Sequence, residues 1–240
     1  MSQIITDLTS HLHTQEQDRN FAWEEKFFKL ITSSDVALLS QDPQQGPDSW
    51  PYIICETLAE NKTPRGDTIE SVQKLIYWLA TKGIGLVVNP YREPYPDYVF
   101  SYGMIWSFKE TGYFIRPDLA VNAGQVEYDN SKIVSGPPTK EYLPFYVRKV
   151  LADFFRDQGV YNPKILMISA DGKNFDLAFS LESLGNPPDK EHAGIAEAIS
   201  WFLPPHYSVV LISEEGLPKF QKLQEQAMMN LLFFVRRIVN

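Results

Sequence analysis

The chain is poor in cysteine, in net positive charge and in long apolar runs, and each shortage removes a class of protein. A single cysteine, Cys55, stands among 240 residues. It can form no internal disulfide, and a zinc site built from several thiolates is excluded. No apolar stretch reaches the roughly 18–20 residues that would cross a bilayer. Acidic residues outnumber basic ones by 30 to 22, for a net charge of −8, which argues against a nucleic acid held by phosphate neutralisation. The N-terminus lacks a basic start followed by an apolar core, so no secretory signal is visible and a cytoplasmic location is expected. There is no G-x-x-x-x-G-K-[ST] loop, no H-E-x-x-H, no C-x-x-C and no G-x-S-x-G. Gly83 and Gly85 precede an expected strand rather than a helix, so they form no dinucleotide fingerprint.

What is present suffices for a folded chain. Apolar residues make up 44 % of the sequence, enough to fill a core, and the length suits one large domain or two small ones. The acidity is uneven: residues 1–135 carry 11 basic and 18 acidic groups, residues 136–240 carry 11 and 12. That bias reads either as solubility or as a basic partner for the first half.

Hydrophobic periodicity predicts the elements. The first dozen residues show little pattern and are expected to fray. A helix is expected from Thr14, where Thr14 and Gln17 have capping-box spacing, to Ser33, with Trp23, Phe27, Leu30 and Ile31 on one face. Val36–Leu39 and Tyr52–Thr57 read as strands. Asp67 and Glu70 suit a second capping box, opening a helix over 68–82 that closes at Gly83. Ile84–Val88 is a buried-type strand. Over 98–109, Tyr98, Phe100, Tyr102, Met104, Trp106 and Phe108 take every even position, which predicts a long strand with a bend at Gly103 and one aromatic face. Glu110–Gly112 reads as the turn of a hairpin, and Val126–Tyr128 and Ile133–Val134 as weaker strands. The string SGPPTKEYLP, residues 135–144, marks a boundary. Beyond it come a helix over 141–158, strands at Lys164–Ala170 and around Phe175–Leu181, a helix at Asp189–Leu203, a strand at Ser208–Ser213 and a last helix carrying Phe220, Leu223, Leu231 and Phe234. Both halves thus run helix, two strands, helix, strand. The fold class expected is α+β, in two similar modules over 1–134 and 135–240.

Little in this pattern points to a reaction. Cys55 sits in an expected strand beside Glu56, which favours a small core residue over an activated thiolate. His11 and His13 lack a third ligand, so no metal site is assigned. His192 and His206 fall at a helix start and in a proline-bounded loop. Asp153/Asp157 and Glu24/Glu25 read as solvated helix faces, because acid–base work needs a cleft and unequal environments. The feature above background is the aromatic density of residues 91–114, nine rings where about three are expected from the overall 13 %. Tyr91, Tyr95, Tyr98 and Trp106 are the partner-binding candidates, on the loop 89–97 and the edge of the aromatic sheet, since Tyr and Trp suit surfaces wet at one end. The alternatives are a thiol-dependent hydrolase or transferase using Cys55 with His192 or His206, and a small ligand on the aromatic sheet. No catalytic residue and no cofactor is assigned. The apolar C-terminal helix suits the core or a homo-oligomer interface.

The order of elements and several local strings resemble the enhanced serine sensitivity protein B (SseB) family of bacteria. In the first half the likeness rests on FFKLITSSDVALLSQD at Phe27–Asp42, the strand Tyr52–Thr57, the helix 68–82 and IGLVVNP at 84–90. In the second it rests on SGPPTKEYLPFYVRKVL, KILMISADG, HAGIAEAISWFL and YSVVLISEEG. The resemblance implies two α+β modules. It implies no reaction, no cofactor and no catalytic residues.

Overall fold

A computed structural model of the chain describes residues 2–60, 62–115 and 133–224. The chain divides into two compact units, residues 1–115 and 116–240. Each carries its own mixed sheet, and the fold is α+β in two modules. The expected strand at 126–128 and the body of the expected C-terminal helix, with the oligomer interface assigned to it, lie outside the described residues.

The first unit opens with helix α1 (Ser2–Leu12) where fraying was expected. Leu8 and Leu12, one turn apart, are buried, and α1 packs on α2 (Phe21–Thr32). Helix α2 begins later than the capping-box spacing suggests. Asn20 is its N-cap, the side-chain oxygen accepting from the amides of Ala22 and Trp23 at 3.0 and 3.2 Å, so the orphan donors of the first turn are met there. Trp23, Phe27, Phe28 and Ile31 form its buried face. The sheet that follows has the order β4-β1-β3-β5-β6, from β1 (Asp35–Leu38), β3 (Pro51–Thr57), β4 (Thr68–Ser71), β5 (Gly85–Val88) and β6 (Tyr98–Phe100). The short β2 (Gln44–Gln45) pairs with the start of β3. Strands β3 and β5 are parallel, joined through α3 (Val72–Leu79), and the other pairings are antiparallel.

Two expectations fail in informative ways. The helix expected from residue 68 begins at Val72, because Thr68–Ser71 is drawn into the sheet as an edge strand, with Val36 opposite Glu70. Tertiary pairing overrides the local cap. The long strand expected over 98–109 is only three residues long. Ser101 ends it as an N-cap, accepting from the Met104 amide at 3.3 Å, and α4 (Tyr102–Thr111) follows to a left-handed Gly112. A spacing of four is also even, so Tyr102/Trp106 and Met104/Phe108 satisfy a helix as well as a strand. Helix α4 is buried from Tyr102 through Phe108 and therefore lacks the polar face that would have revealed its period. Glu110 and Thr111 belong to this helix rather than to a hairpin turn.

The second unit holds β7 (Val134–Gly136), α5 (Phe145–Asp157), β8 (Lys164–Ser169), β9 (Asp176–Ser180), α6 (Asp189–Trp201), β10 (Ser208–Ile212) and β11 (Gln221–Lys222). Its sheet runs β10-β9-β8-β11, with β7 on the far end of the same β8 edge as β11. The alternation along β8 and β9 splits their side chains between two faces. Leu166, Ile168 and Ala178 pack with Phe220, whereas Phe179 meets Phe155 of α5 at 5.6 Å between ring centres. Strands β9 and β10 are parallel. The expected recurrence of helix, two strands, helix, strand is therefore present as α2-β1-β3-α3-β5 and again as α5-β8-β9-α6-β10, with β2 and β4 as additions in the first unit.

Gly66 sits where the chain turns into β4, hard against β1. A Cβ there would lie 2.0 Å from the Leu38 carbonyl oxygen and 2.7 Å from its carbon. Backbone cannot yield as a side-chain tip does, so Gly66→Ala is expected to cost about 1–3 kcal/mol of the first unit's stability. Urea unfolding followed by tryptophan fluorescence measures it; an unchanged midpoint would refute the close approach.

Candidate cleft at the ends of β3 and β5

In open sheets ligands favour the crevice outside the carboxyl ends of parallel strands. The first unit has such a place where β3 ends in Glu56 and Thr57 and β5 runs out into Asn89 and Pro90. A cleft of about 620 Å³ opens there, lined also by Leu12 and His13 at the end of α1, by Lys62 and Arg65, and by Tyr91, Arg92 and Asp97. Its volume falls in the range of ordinary small-ligand pockets.

The floor is an ion-pair knot. Asp97, with a side chain 5 % exposed, receives Arg19 at 2.7 Å and Arg92 on the same oxygen, while Asn89 donates to its other oxygen at 2.7 Å. Both guanidinium groups also donate to the carbonyls of Leu12, at 2.8 and 2.9 Å, and of Thr14, at 3.3 Å each. Those carbonyls, at and just past the end of α1, would otherwise lack donors. Burial pushes the Asp97 carboxyl above its usual range, opposed by the Asn89 hydrogen bond and the Arg92 charge. Asn89 takes the left-handed conformation, φ 52°, a region Asn tolerates. Its side-chain oxygen accepts from the Thr57 amide at 2.9 Å, which ties the ends of β3 and β5 together.

The wall is built from Glu56, Glu60, Lys62, Arg65 and Tyr91. Glu56 is buried and accepts from the backbone amide of Arg65. Thr6 donates to Glu60 at 2.6 Å. The Arg65 guanidinium lies 5.0 Å over the Tyr91 ring and 3.9 Å from the other Glu56 oxygen, beyond hydrogen-bond reach.

The sequence-derived candidates divide between this cleft and the core. Tyr91 and Tyr95 are 68 % and 64 % exposed, and Tyr91 lines the cleft. Tyr98 is half-buried; its hydroxyl donates to Glu24, its ring packs 5.1 Å from Phe27, and burial first, then Glu24, drives its pKa up. Trp106 is 2 % exposed within α4, so it is withdrawn from any partner surface. The aromatic row expected on a sheet face is not formed as a sheet, and with it goes the platform for a stacked small ligand. Phe100, Phe108 and Phe114 join Phe27 and Phe28 as core, with ring centres 4.5–6.2 Å apart.

The residues weighed for catalysis are structural. Cys55 is fully buried, donates to the Val87 carbonyl at 3.5 Å, and its thiol is pushed far up by burial and then by Glu56. It lies in the first unit, His192 and His206 in the second. The His192 ring bonds the Pro187 carbonyl at 2.9 Å, and burial lowers the pKa of His206. His11 stacks on Trp23 at 5.0 Å and meets its carbonyl at 2.8 Å. Asp153 is paired with Lys149 and Arg156, and Glu25 with Lys29. Among the described residues no three His, Cys, Asp or Glu side chains are grouped to hold a metal. Among them, too, no helix is long and apolar enough to cross a membrane.

The second unit fills the corresponding place at the ends of β9 and β10. Ser180 donates to Glu214 at 2.6 Å, Lys164 reaches the same carboxylate at 2.8 Å, and Glu182 accepts from the Ser213 hydroxyl at 2.5 Å and the Glu214 amide at 3.0 Å. These bonds lower the pKa of both glutamates, through Ser213 chiefly for Glu182 and Lys164 for Glu214.

Neither a family model, nor a curated protein, nor a solved structure matches the chain.

Two outcomes follow from these environments. A native Cys55 is expected to stay inert to a thiol-titrating disulfide reagent at pH 8 and to react stoichiometrically only after denaturation; rapid native reaction would restore the thiol chemistry. Carboxylates with depressed native pKa stabilise the fold above their unfolded pKa and lose that contribution as pH falls. The second unit's melting temperature is therefore expected to drop as pH falls through the ordinary glutamate range and below, and to drop less in Glu182→Gln/Glu214→Gln. Parallel pH profiles of parent and variant by thermal melt would contradict the assignment.

Proposed function

We propose that this chain is a non-catalytic, SseB-like cytoplasmic protein that works by binding another protein, at the cleft of its first unit and the adjoining loop 91–95. The observation that carries the reading is the pairing of a fixed floor with exposed aromatics. The knot around Asp97 holds the cleft, while Tyr91 and Tyr95 stand outward beside it. Exposed Tyr on a braced loop supplies large contact area at low entropic cost. The cleft's carboxylates support binding over acid–base chemistry, because Asp97, Glu56 and Glu60 already accept hydrogen bonds from the protein's own groups. The SseB-like part of the reading rests on the shared order of elements in the two modules, and the cytoplasmic part on the single thiol.

The test uses the parent chain and Tyr91→Ala/Tyr95→Ala as immobilised baits, with Tyr161→Ala, a 73 % exposed tyrosine of the second unit, as control. Proteins retained by the parent and the control are expected to fall at least fivefold on the double variant, with unchanged melting temperature. Equal recovery on all three baits would overturn the reading.

A further inference from the structure

The cleft's hydrogen-bonding capacity is unevenly spent. Both oxygens of Asp97 are occupied, one by Arg19 and Arg92 and the other by Asn89. Glu56 and Glu60 each accept from within the unit. Arg92 is taken up by Asp97 and the carbonyls of Leu12 and Thr14. Two cations remain. The Lys62 ammonium lines the cleft and has no hydrogen bond or ion pair among the described residues. The Arg65 side chain is 57 % exposed, with its guanidinium carbon 5.0 Å over the Tyr91 ring and only a long approach to Glu56. A guanidinium held over an aromatic ring still has N–H donors to offer a planar carboxylate.

From this we infer that the cleft receives an acidic side chain, a Glu or Asp from an extended segment of the partner protein, seated between Lys62 and Arg65 beside the Tyr91 ring. The inference rests on the binding reading above and adds the charge of the ligand. It is local: a chain of net charge −8 repels polyanions at long range, so attraction must come from these two donors at short range. The binding is therefore selective for one or two carboxylates and is screened by salt.

Fluorescence anisotropy with labelled tetraglutamate, tetraglutamine and tetralysine peptides at low ionic strength tests the assignment on the full chain. Tetraglutamate is expected to bind at least tenfold more tightly than tetraglutamine. It should lose at least tenfold in Lys62→Gln/Arg65→Gln, and lose nothing in Lys173→Gln/Lys190→Gln, two exposed lysines of the second unit. Tetraglutamate binding that ignores Lys62→Gln/Arg65→Gln would overturn the inference. So would free glutarate displacing the peptide at equal molarity, which would assign the cleft to a small diacid. Preference for tetralysine, lost in Tyr91→Ala/Tyr95→Ala, would reverse the charge and leave the binding reading intact. Absence of peptide binding alongside tyrosine-dependent capture of a partner would likewise overturn the charge assignment alone, whereas capture indifferent to the tyrosines defeats the binding reading itself.

Discussion

Asp97 is the residue on which the first unit's open end depends. It is the meeting point of four chain segments: Arg19 before α2, Asn89 after β5, Arg92 in the loop, and, through the two arginines, the carbonyls at and just past the end of α1. Desolvating a carboxylate costs several kcal/mol, and that cost is offset only if each oxygen is met by well-placed donors. Here both are. Removing one partner of such a buried pair typically costs on the order of 3–5 kcal/mol, because the charge left behind has no water to return to. The Arg19 guanidinium is itself fixed over the Trp23 ring at 4.3 Å, so the knot is continuous with the aromatic core of α2. The cleft consequently has a polar floor in a unit otherwise held by an apolar core of rings and aliphatic side chains.

The two modules solve one geometric problem differently. In each, a parallel pair of strands joined by a helix leaves carbonyls and side chains at its carboxyl ends facing outward. The second unit closes that end with its own side chains: Ser180, Glu182, Lys164 and Glu214 satisfy one another within hydrogen-bond distance. The first unit places Ala59, Glu60, Lys62 and Arg65 on one side and residues 89–92 with Asp97 on the other, and the space between them stays open. Among the described residues, the first unit leaves a cleft at this place and the second fills it with its own side chains.

The recurrence itself was legible in the sequence because it depends on periodicity of apolar residues, which α5, β8, β9 and α6 display plainly. The strands at Pro51–Thr57 and Gly85–Val88 were legible for the same reason. What failed were elements whose identity depends on neighbours. Thr68–Ser71 has a helix's local signals and a strand's hydrogen bonds, because β1 offers a free edge. Residues 102–108 have a strand's alternation and a helix's cap at Ser101. A helix buried on all sides has no polar face, and without one a step of four is indistinguishable from two steps of two. The Ser101-to-Met104 spacing was the local signal that could have decided it.

The site was legible only in part, and the reason lies in sequence separation. Tyr91 and Tyr95 stood out by composition, and both are exposed. Arg19, Asp97 and Asn89 did not stand out: Arg19 and Asp97 bond across 78 positions, and Asn89 reaches Thr57 across 32. Each carries an ordinary local context, a turn, a strand start, an Asn-Pro corner. Their chemistry arises when antiparallel β5–β6 pairing sets Asp97 beside Val88, the Asp97 amide bonding the Val88 carbonyl at 3.0 Å. A carboxylate that is solvated in the linear chain becomes a buried one in the folded unit, and burial rather than residue type makes it organise everything around it. Aromatic density marks where a surface can be sticky; the pairing of strands decides where a charge must be held, and the cleft lies where the two coincide.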